Sequence, residues 1–199
     1  ASGQLLLRAA RAKGWRTFAP GDDIARFLLR VRFARSHCPD AGLPELAEPD
    51  VDAALATLCE GRRSFAELRA AELTSALRNR LSPHDARRLA EIAPEAVVLP
   101  GGRKAKVTYT ESAAPFIESR LQDFFGMRAG PSAALGRVPI VLHLLAPNQR
   151  AVQVTTDLAG FWDRHYPAIA KELRRKYPRH AWPDDPRTAA PPPPYGRPR

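Results

Sequence analysis

The sequence changes character at residues 96–109, AVVLPGGRKAKVTY. A short run rich in valine, residues 96–99, is separated by Pro100-Gly101-Gly102 from residues 104–109, where polar and apolar side chains alternate. Two β-prone runs joined by a glycine-containing turn are typical of a β-hairpin. We therefore expect a helical part before residue 96 and a part that contains strands after it.

Five segments before residue 96 repeat apolar side chains at helical spacing. Ser64 and Glu67 have the spacing of a capping box, and Pro83 follows Ser82 at a first helical position. The predicted helices lie at 4–13, between Asp22 and Pro39, between Asp50 and Gly61, from Ser64 to Leu73, and between Ser82 and Pro94.

Residues 115–155 predict one more helix and a second hairpin. The apolar positions of 115–125 fit a helix that ends at a glycine. Residues 138–145 form a continuous apolar run, which predicts one buried strand with His143 as a satisfied core histidine. A turn then leads to a returning strand at 151–155.

The strongest helical pattern runs from Asp157 to Tyr177, with aromatic and aliphatic side chains on one face. Pro167 lies inside this pattern and lacks a backbone donor, so we expect a kink or two abutting helices there. The predicted class is α+β: a helical subdomain at 1–97, a small mixed domain with two β-hairpins at 98–186, and a disordered proline-rich tail at 187–199.

Composition and charge limit the possible functions. The 199 residues carry 31 Lys+Arg against 21 Asp+Glu, a formal net charge of +10, which favours nucleic acid or another polyanion as partner. Residues 1–39 are basic, 40–70 are acidic and 171–199 are basic again. The chain is too short for a two-lobed NTPase motor, and it has no apolar run of membrane-spanning length, so we expect no membrane partner. Two cysteines without a C-x-x-C pair fit a cytoplasmic location.

Motifs for catalysis are absent from the sequence. It contains no G-x-x-x-x-G-K-[ST] phosphate cradle, no H-E-x-x-H helix and no G-x-S-x-G elbow. We therefore predict no catalytic residue, no metal ligand and no cofactor in this chain.

Three basic groups are candidate nucleic-acid contacts. Each also has a structural explanation, as a solvated strand or as cations that favour the end of a helix dipole. The candidates are Arg103, Lys104 and Lys106 on the first hairpin, Arg150, Gln153 and Thr155 on the second, and Arg174, Arg175, Lys176 and Arg179 at the end of the last helix.

Trp182 is a further candidate, in a segment interrupted by prolines. Its indole ring could stack on an unpaired base. Alternatively, it could anchor this segment as the segment wraps back over the domain.

Four ordered blocks resemble the C-terminal region of the bacterial ATP-dependent helicase family HrpB. The closing block is YPRHAWPDDP, residues 177–186, and the central block combines LLAP at 144–147 with VQVTTDLAGFW at 152–162. RLQDFFG at 120–126 and PGGR at 100–103 precede them in the expected order. A looser match covers RRSFAEL at 62–68.

The resemblance implies an accessory region of a DEAH-type superfamily 2 helicase that acts on RNA or single-stranded DNA without sequence preference. Its implied partners are nucleic acid and the motor domains of the parent helicase. ATP and Mg would bind those motor domains, so we expect no ATP hydrolysis by this chain alone. The first residue is Ala1, and we expect the chain to be the non-motor end of a longer protein.

A protein-interaction module is the alternative function. It would dock a partner through the acidic segment 40–60 or through the proline-rich tail.

Overall fold

A computed structural model describes residues 2–193 of the chain. The chain divides into two compact units, Ala1–Ala93 and Pro94–Arg199. The described elements of the first unit are all helical, and those of the second are strands, with one short 3-10 helix among them, followed by two α-helices. The predicted α+β class is confirmed.

The α-helices of the first unit occupy the segments in which helical spacing was found. They are α1 (Ser2–Lys13), α2 (Asp23–His37), α3 (Glu48–Cys59), α4 (Phe65–Ala70), α5 (Leu73–Arg78) and α6 (Pro83–Ile92), with short 3-10 turns at Trp15–Thr17 and Pro39–Ala41. Helix α3 lies against α1 and α5, and α2 contacts α5 and α6. The core of this unit contains Leu55, Leu77 and Leu89 together with the buried aromatic rings of Phe18, Phe27 and Phe33.

The single helix predicted from Ser64 to Leu73 is wrong, because the structure has two. The predicted cap is present, since Ser64 Oγ accepts a hydrogen bond of 3.2 Å from the Glu67 backbone N–H. Helix α4 ends at Ala70, and Glu72 adopts a left-handed φ of 52° before α5 begins. Residues five apart lie about 140° apart around a straight helix. The break allows both Leu68 and Leu73 to be buried.

The second unit contains short strands arranged in three small sheets. They are β1 (Ala96–Val98), β2 (Lys104–Lys106), β3 (Phe116–Arg120), β4 (Ser132–Ala133), β5 (Val138–Pro139), β6 (Val141–Leu145) and β7 (Ala151–Thr155). The predicted hairpins are confirmed as β1–β2 and β6–β7, both antiparallel. The β4–β5 hairpin was not expected from the sequence.

The central sheet has the strand order β3-β6-β7. Strand β3 runs parallel to β6, with Glu118 opposite His143, and β7 places Val154 opposite the same histidine. A single bridge between Thr108 and Phe116 joins the chain after β2 to the edge of this sheet. The β1–β2 hairpin is therefore held beside β3.

The helix predicted at 115–125 is wrong. Residues Phe116–Arg120 form β3, and only Leu121–Phe124 turn as a short 3-10 helix. The apolar spacing of this segment fits a helix, and the buried Ser119 interrupts the alternation that would identify a strand. Pairing with β6, which is distant in the sequence, determines the strand conformation.

The predicted continuous strand at 138–145 is two strands. Residues Val138–Pro139 pair with β4 and Val141–Leu145 pair with β3, so the chain changes partner at Ile140. His143 is not a core residue. Its side chain is 28% exposed, and its ring stacks on Phe116 with centroids 4.7 Å apart.

Two abutting helices follow the sheet, as Pro167 predicted. Helix α7 (Leu158–Arg164) ends before α8 (Tyr166–Lys176) begins, and Pro167 lies in the first turn of α8. Phe161, Trp162 and Tyr166 are buried, and Phe125 meets Tyr166 edge to face with centroids 6.1 Å apart. These rings form the aromatic part of the second core.

The segment after α8 returns to the domain. Arg187 donates hydrogen bonds to Asp163 (2.6 Å) and to the carbonyl of Ala159 (3.2 Å). A Cβ added to Gly101 would lie 2.7 Å from the carbonyl oxygen of Pro192, so a glycine is needed where this segment crosses the first hairpin turn. Residues 194–199 of the predicted tail lie outside the described residues.

Candidate nucleic-acid interface

Strand β2 presents two lysines on its exposed face. Lys104 and Lys106 are exposed, whereas Ala105 between them is buried. This alternation follows from the two-residue period of a strand. The short connection through Pro100, Gly101 and Gly102 sets the register, in which Val98 lies opposite Lys104. Of the first predicted basic group, Lys104 and Lys106 therefore lie on one face of β2, and Arg103 precedes the strand.

Arg103 is held by a buried carboxylate at the start of β2. Its Nε lies 3.1 Å from Oδ2 of Asp123, whose side chain is only 2% exposed. Arg120 reaches the same carboxylate from the end of β3, with Nη2 3.2 Å from Oδ1. Ser119 Oγ–H donates to Asp123 Oδ2 at 2.6 Å. The hydrogen bonds from Arg120 and Ser119, together with the ion pair formed by Arg103, offset the cost of burying the carboxylate.

A cavity of about 300 Å³ opens beside this cluster. Its charged lining combines two guanidinium groups, two ammonium groups and two carboxylates, a formal charge of +2. The charged residues are Arg103, Lys104, Lys106, Arg120, Glu118 and Asp123. The cavity is thus a concave surface that favours an anion.

The second basic group is not brought to one face. Arg150 is exposed immediately before β7. Gln153 and Thr155 pair with Leu144 and Leu142, whose side chains are buried. Thr155 Oγ1 accepts a hydrogen bond of 2.9 Å from the backbone of Asp157, so it helps to shape the start of α7. These three residues stay candidates, but they do not form a single surface.

The third basic group lies at the end of α8. Arg175, Lys176 and Arg179 are exposed. Arg174 donates to the carbonyl of Trp182 and lies 3.0 Å from Oδ1 of Asp184. Arg174 therefore fastens the returning segment, in addition to contributing positive charge.

Trp182 is buried, with 5% of its surface exposed. Its Nε1–H donates to the carbonyl of Tyr177 at 3.1 Å. Tyr166 Oη–H donates to the carbonyl of Pro183 at 2.8 Å, and burial raises the pKa of this phenol to about 12. Both aromatic side chains therefore anchor the segment after α8, which favours the anchoring role over base stacking for Trp182.

Four carboxylates of the acidic segment pair with arginines of the first unit. Asp52 accepts hydrogen bonds from Arg11, with Nη2 and Oδ2 2.5 Å apart, and these bonds lower the pKa of the carboxyl group. Three further ion pairs involve Glu48 with Arg16 (3.9 Å), Glu45 with Arg35 (3.8 Å) and Asp50 with Arg80 (3.2 Å). Acidic residues of the segment 40–60 thus lie close to arginines from other segments of the same unit, which reduces the positive potential of the N-terminal helices.

Sequence reasoning missed three members of the first site. The apolar spacing of 115–125 predicts a helix for Ser119, Arg120 and Asp123, and a helix does not predict their convergence with Arg103. The sequence signal for this pair is that Arg120 and Asp123 carry opposite charges at positions i and i+3.

Within residues 2–193, no group of three or more His, Cys, Asp or Glu side chains could hold a metal ion. In this range no helix is long and apolar enough to cross a membrane.

The sequence model of HrpB C-terminal regions, described as ATP-dependent helicase C-terminal, matches residues 54–186. The chain belongs to this family. The match includes the β1–β2 hairpin, the Asp123 cluster and the segment anchored by Trp182, and it begins inside α3.

HrpB proteins of known sequence and structure agree with this assignment. The chain is 34% identical over 192 residues to the ATP-dependent RNA helicase HrpB of Escherichia coli K12. The aligned region covers 94% of this chain and 24% of the relative. The crystal structure of the E. coli DExH-box NTPase HrpB superposes with a TM-score of 0.82 at 33% identity, covering 93% of this chain and 23% of the other. A crystal structure of the E. coli DEAH/RHA helicase HrpB gives a TM-score of 0.71 at 32% identity, covering 90% and 23%. The chain spans about a quarter of the length of these relatives.

Proposed function

We propose that this chain is an accessory C-terminal region of an HrpB-type helicase and that it contacts nucleic acid through the β1–β2 hairpin. The observation that carries the proposal is the pair Lys104 and Lys106 on the exposed face of β2, beside a cavity with a formal charge of +2. Cations on one face of a strand can follow a phosphate backbone without reading its bases. The contact is therefore sequence-indifferent.

Single-stranded RNA is the substrate class that we infer for this contact. The E. coli relative is named an ATP-dependent RNA helicase. The chain lacks the phosphate-cradling motif of a motor, so ATP would bind the motor domains of the parent protein, and this region would lie against those domains. This region would contribute cations that neutralise RNA phosphates, and the affinity of such a contact falls steeply as the salt concentration rises.

The interaction-module alternative gains no specific observation. The acidic segment that would dock a partner already pairs with arginines of its own unit, as in Arg11–Asp52 and Arg80–Asp50. The last part of the proline-rich tail, 194–199, lies outside the described residues.

Fluorescence anisotropy of a labelled single-stranded RNA tests the proposal. The wild-type chain is expected to bind at low salt and to lose most of its affinity at moderate salt. The double variant Lys104→Gln/Lys106→Gln is expected to bind the RNA about tenfold more weakly at low salt. Because it loses two phosphate contacts, the slope of log affinity against log salt concentration is expected to be shallower by about 1.4.

The matched control is Lys13→Gln/Lys171→Gln, which removes the same charge from exposed helical positions. It is expected to bind RNA within about twofold of the wild type, the size of effect expected from long-range charge alone. No binding by the wild type at low salt, or equal losses in the two double variants, would overturn the assignment of the contact to β2.

A further inference from the structure

We propose that the cavity beside the β1–β2 hairpin binds one phosphate group of a single-stranded nucleic acid, with Arg103 and Arg120 as its guanidinium ligands. This inference rests on the proposed nucleic-acid contact and adds the place where one phosphate is held. Arg120 and the carboxylate behind it were not among the residues expected from the sequence.

The first argument is that the two guanidinium groups are fixed before any ligand arrives. Asp123 is 2% exposed and lies 3.1 Å from Arg103 Nε and 3.2 Å from Arg120 Nη2. The backbone N–H of Arg120 (3.2 Å) and Ser119 Oγ–H (2.6 Å) also donate to this carboxylate. An arginine held in this way loses little side-chain entropy when it binds an anion, so the site is pre-organised.

The second argument is that hydrogen-bonding capacity remains on the open side. Among residues 2–193, the hydrogen bonds of the Arg120 side chain involve Nε and Nη2, which both reach Asp123. Its Nη1 therefore has two N–H donors available to a ligand. A planar guanidinium with paired donors matches the geometry of phosphate oxygens.

The third argument is charge balance. Asp123 offsets one of the two arginines, and Glu118, whose side chain is 56% exposed, offsets a second cation. Lys104 and Lys106 line the same cavity and are exposed. The remaining formal charge of +2 favours an anion over a metal cation.

The fourth argument is size. The cavity of about 300 Å³ lies at the small end of ligand pockets. It can accept a phosphate and part of an attached sugar, and Leu145 provides an apolar wall. Free phosphate and the phosphodiester of a nucleic acid share this chemistry, and two probes distinguish them.

The first probe is inorganic phosphate, followed by NMR on the arginine Nε–H signals of the full chain at constant ionic strength. The Arg103 and Arg120 signals, assigned with Arg103→Lys and Arg120→Lys, are expected to shift and to saturate. The signal of Arg87, an exposed arginine that donates to the Pro83 carbonyl in α6, serves as control and is expected to stay in place. Equal, non-saturating shifts of all arginine signals would overturn the site.

The second probe is a single-stranded RNA compared with the same oligomer carrying neutral methylphosphonate linkages. Arg120→Lys keeps the charge, and hence the ion pair with Asp123, but removes the planar fork. We expect it to weaken RNA binding about fivefold and to leave the neutral oligomer's weak binding unchanged. The control Arg87→Lys is expected to leave RNA binding unchanged.

The outcomes separate this inference from the proposed function. RNA binding that depends on Lys104 and Lys106 but is insensitive to Arg120→Lys, without saturable phosphate shifts, would overturn the phosphate site and leave the nucleic-acid contact intact. Saturable phosphate shifts without RNA binding would overturn the nucleic-acid contact. They would also overturn the assignment of the cavity to a nucleic-acid phosphodiester, and would show that it binds free phosphate instead. Saturable shifts together with the fivefold loss support the inference.

Discussion

Arg103 Nε lies 3.1 Å from Asp123 Oδ2, and this ion pair fastens the start of β2 to the 3-10 turn that follows β3. The same carboxylate holds Arg120 at the end of β3. One buried acid thus organises the positively charged cavity beside the first hairpin. The stability of the second unit and its proposed ligand contact depend on the same residue.

Asp123→Asn is expected to lower the free energy of unfolding by about 2–3 kcal/mol, because it removes the charge that pairs with two partly buried guanidinium groups. Urea denaturation measures this change. Asp184→Asn is the control, since Asp184 is 99% exposed in its pair with Arg174, and we expect it to change the same free energy by less than about 0.5 kcal/mol. Equal effects of the two substitutions would contradict the organising role of Asp123.

Tyr166→Phe is expected to change how stability responds to alkaline pH. The pKa of Tyr166 is raised to about 12 by burial, above its ordinary value of 10.0. The stability that this phenol contributes is fully present below pH 10 and is lost as the pH rises through 12, because the unfolded chain ionises first. The wild type therefore loses stability relative to Tyr166→Phe across this window.

Chemical denaturation at pH 8, 10 and 11.5 measures that difference. At pH 8 the wild type is expected to be more stable by about 1 kcal/mol, through the hydrogen bond from Tyr166 to the Pro183 carbonyl. A difference that stays constant over the three pH values would show that the phenol has the same pKa in both states.

Trp182→Leu is expected to lower stability without changing RNA affinity. The indole is 5% exposed and donates to the Tyr177 carbonyl, so its loss leaves a cavity and an unpaired acceptor that cost about 2–4 kcal/mol. Thermal unfolding measures the loss, and anisotropy at a temperature where both proteins are folded measures RNA binding. A severalfold loss of RNA affinity in the folded variant would instead favour base stacking by Trp182.

Much of the fold follows from local sequence signals. The Pro100-Gly101-Gly102 turn predicted the first hairpin, Ser64 predicted a cap and Pro167 predicted the separation of α7 from α8. These features depend on backbone chemistry within a few residues. They are therefore readable from one sequence.

Strand β3 and the Asp123 cluster depend on distant partners. Residues Phe116–Arg120 become a strand because β6 pairs with them in parallel, and the buried Ser119 masks the alternation. The candidate site shows the same limit. Lys104 and Lys106 were accessible to strand periodicity, whereas the convergence of Arg103 with Asp123 requires the turn that follows β3.

Crosslinking of a single-stranded RNA that carries 4-thiouridine, followed by mass spectrometry of the crosslinked peptides, tests the central claim most directly. The proposed contact predicts that the RNA crosslinks to protein residues within the segment 103–120, which runs from the start of β2 to the end of β3. These RNA crosslinks are expected to be lost in Lys104→Gln/Lys106→Gln. Crosslinks confined to the helices of the first unit or to α8, with none between 103 and 120, would contradict it.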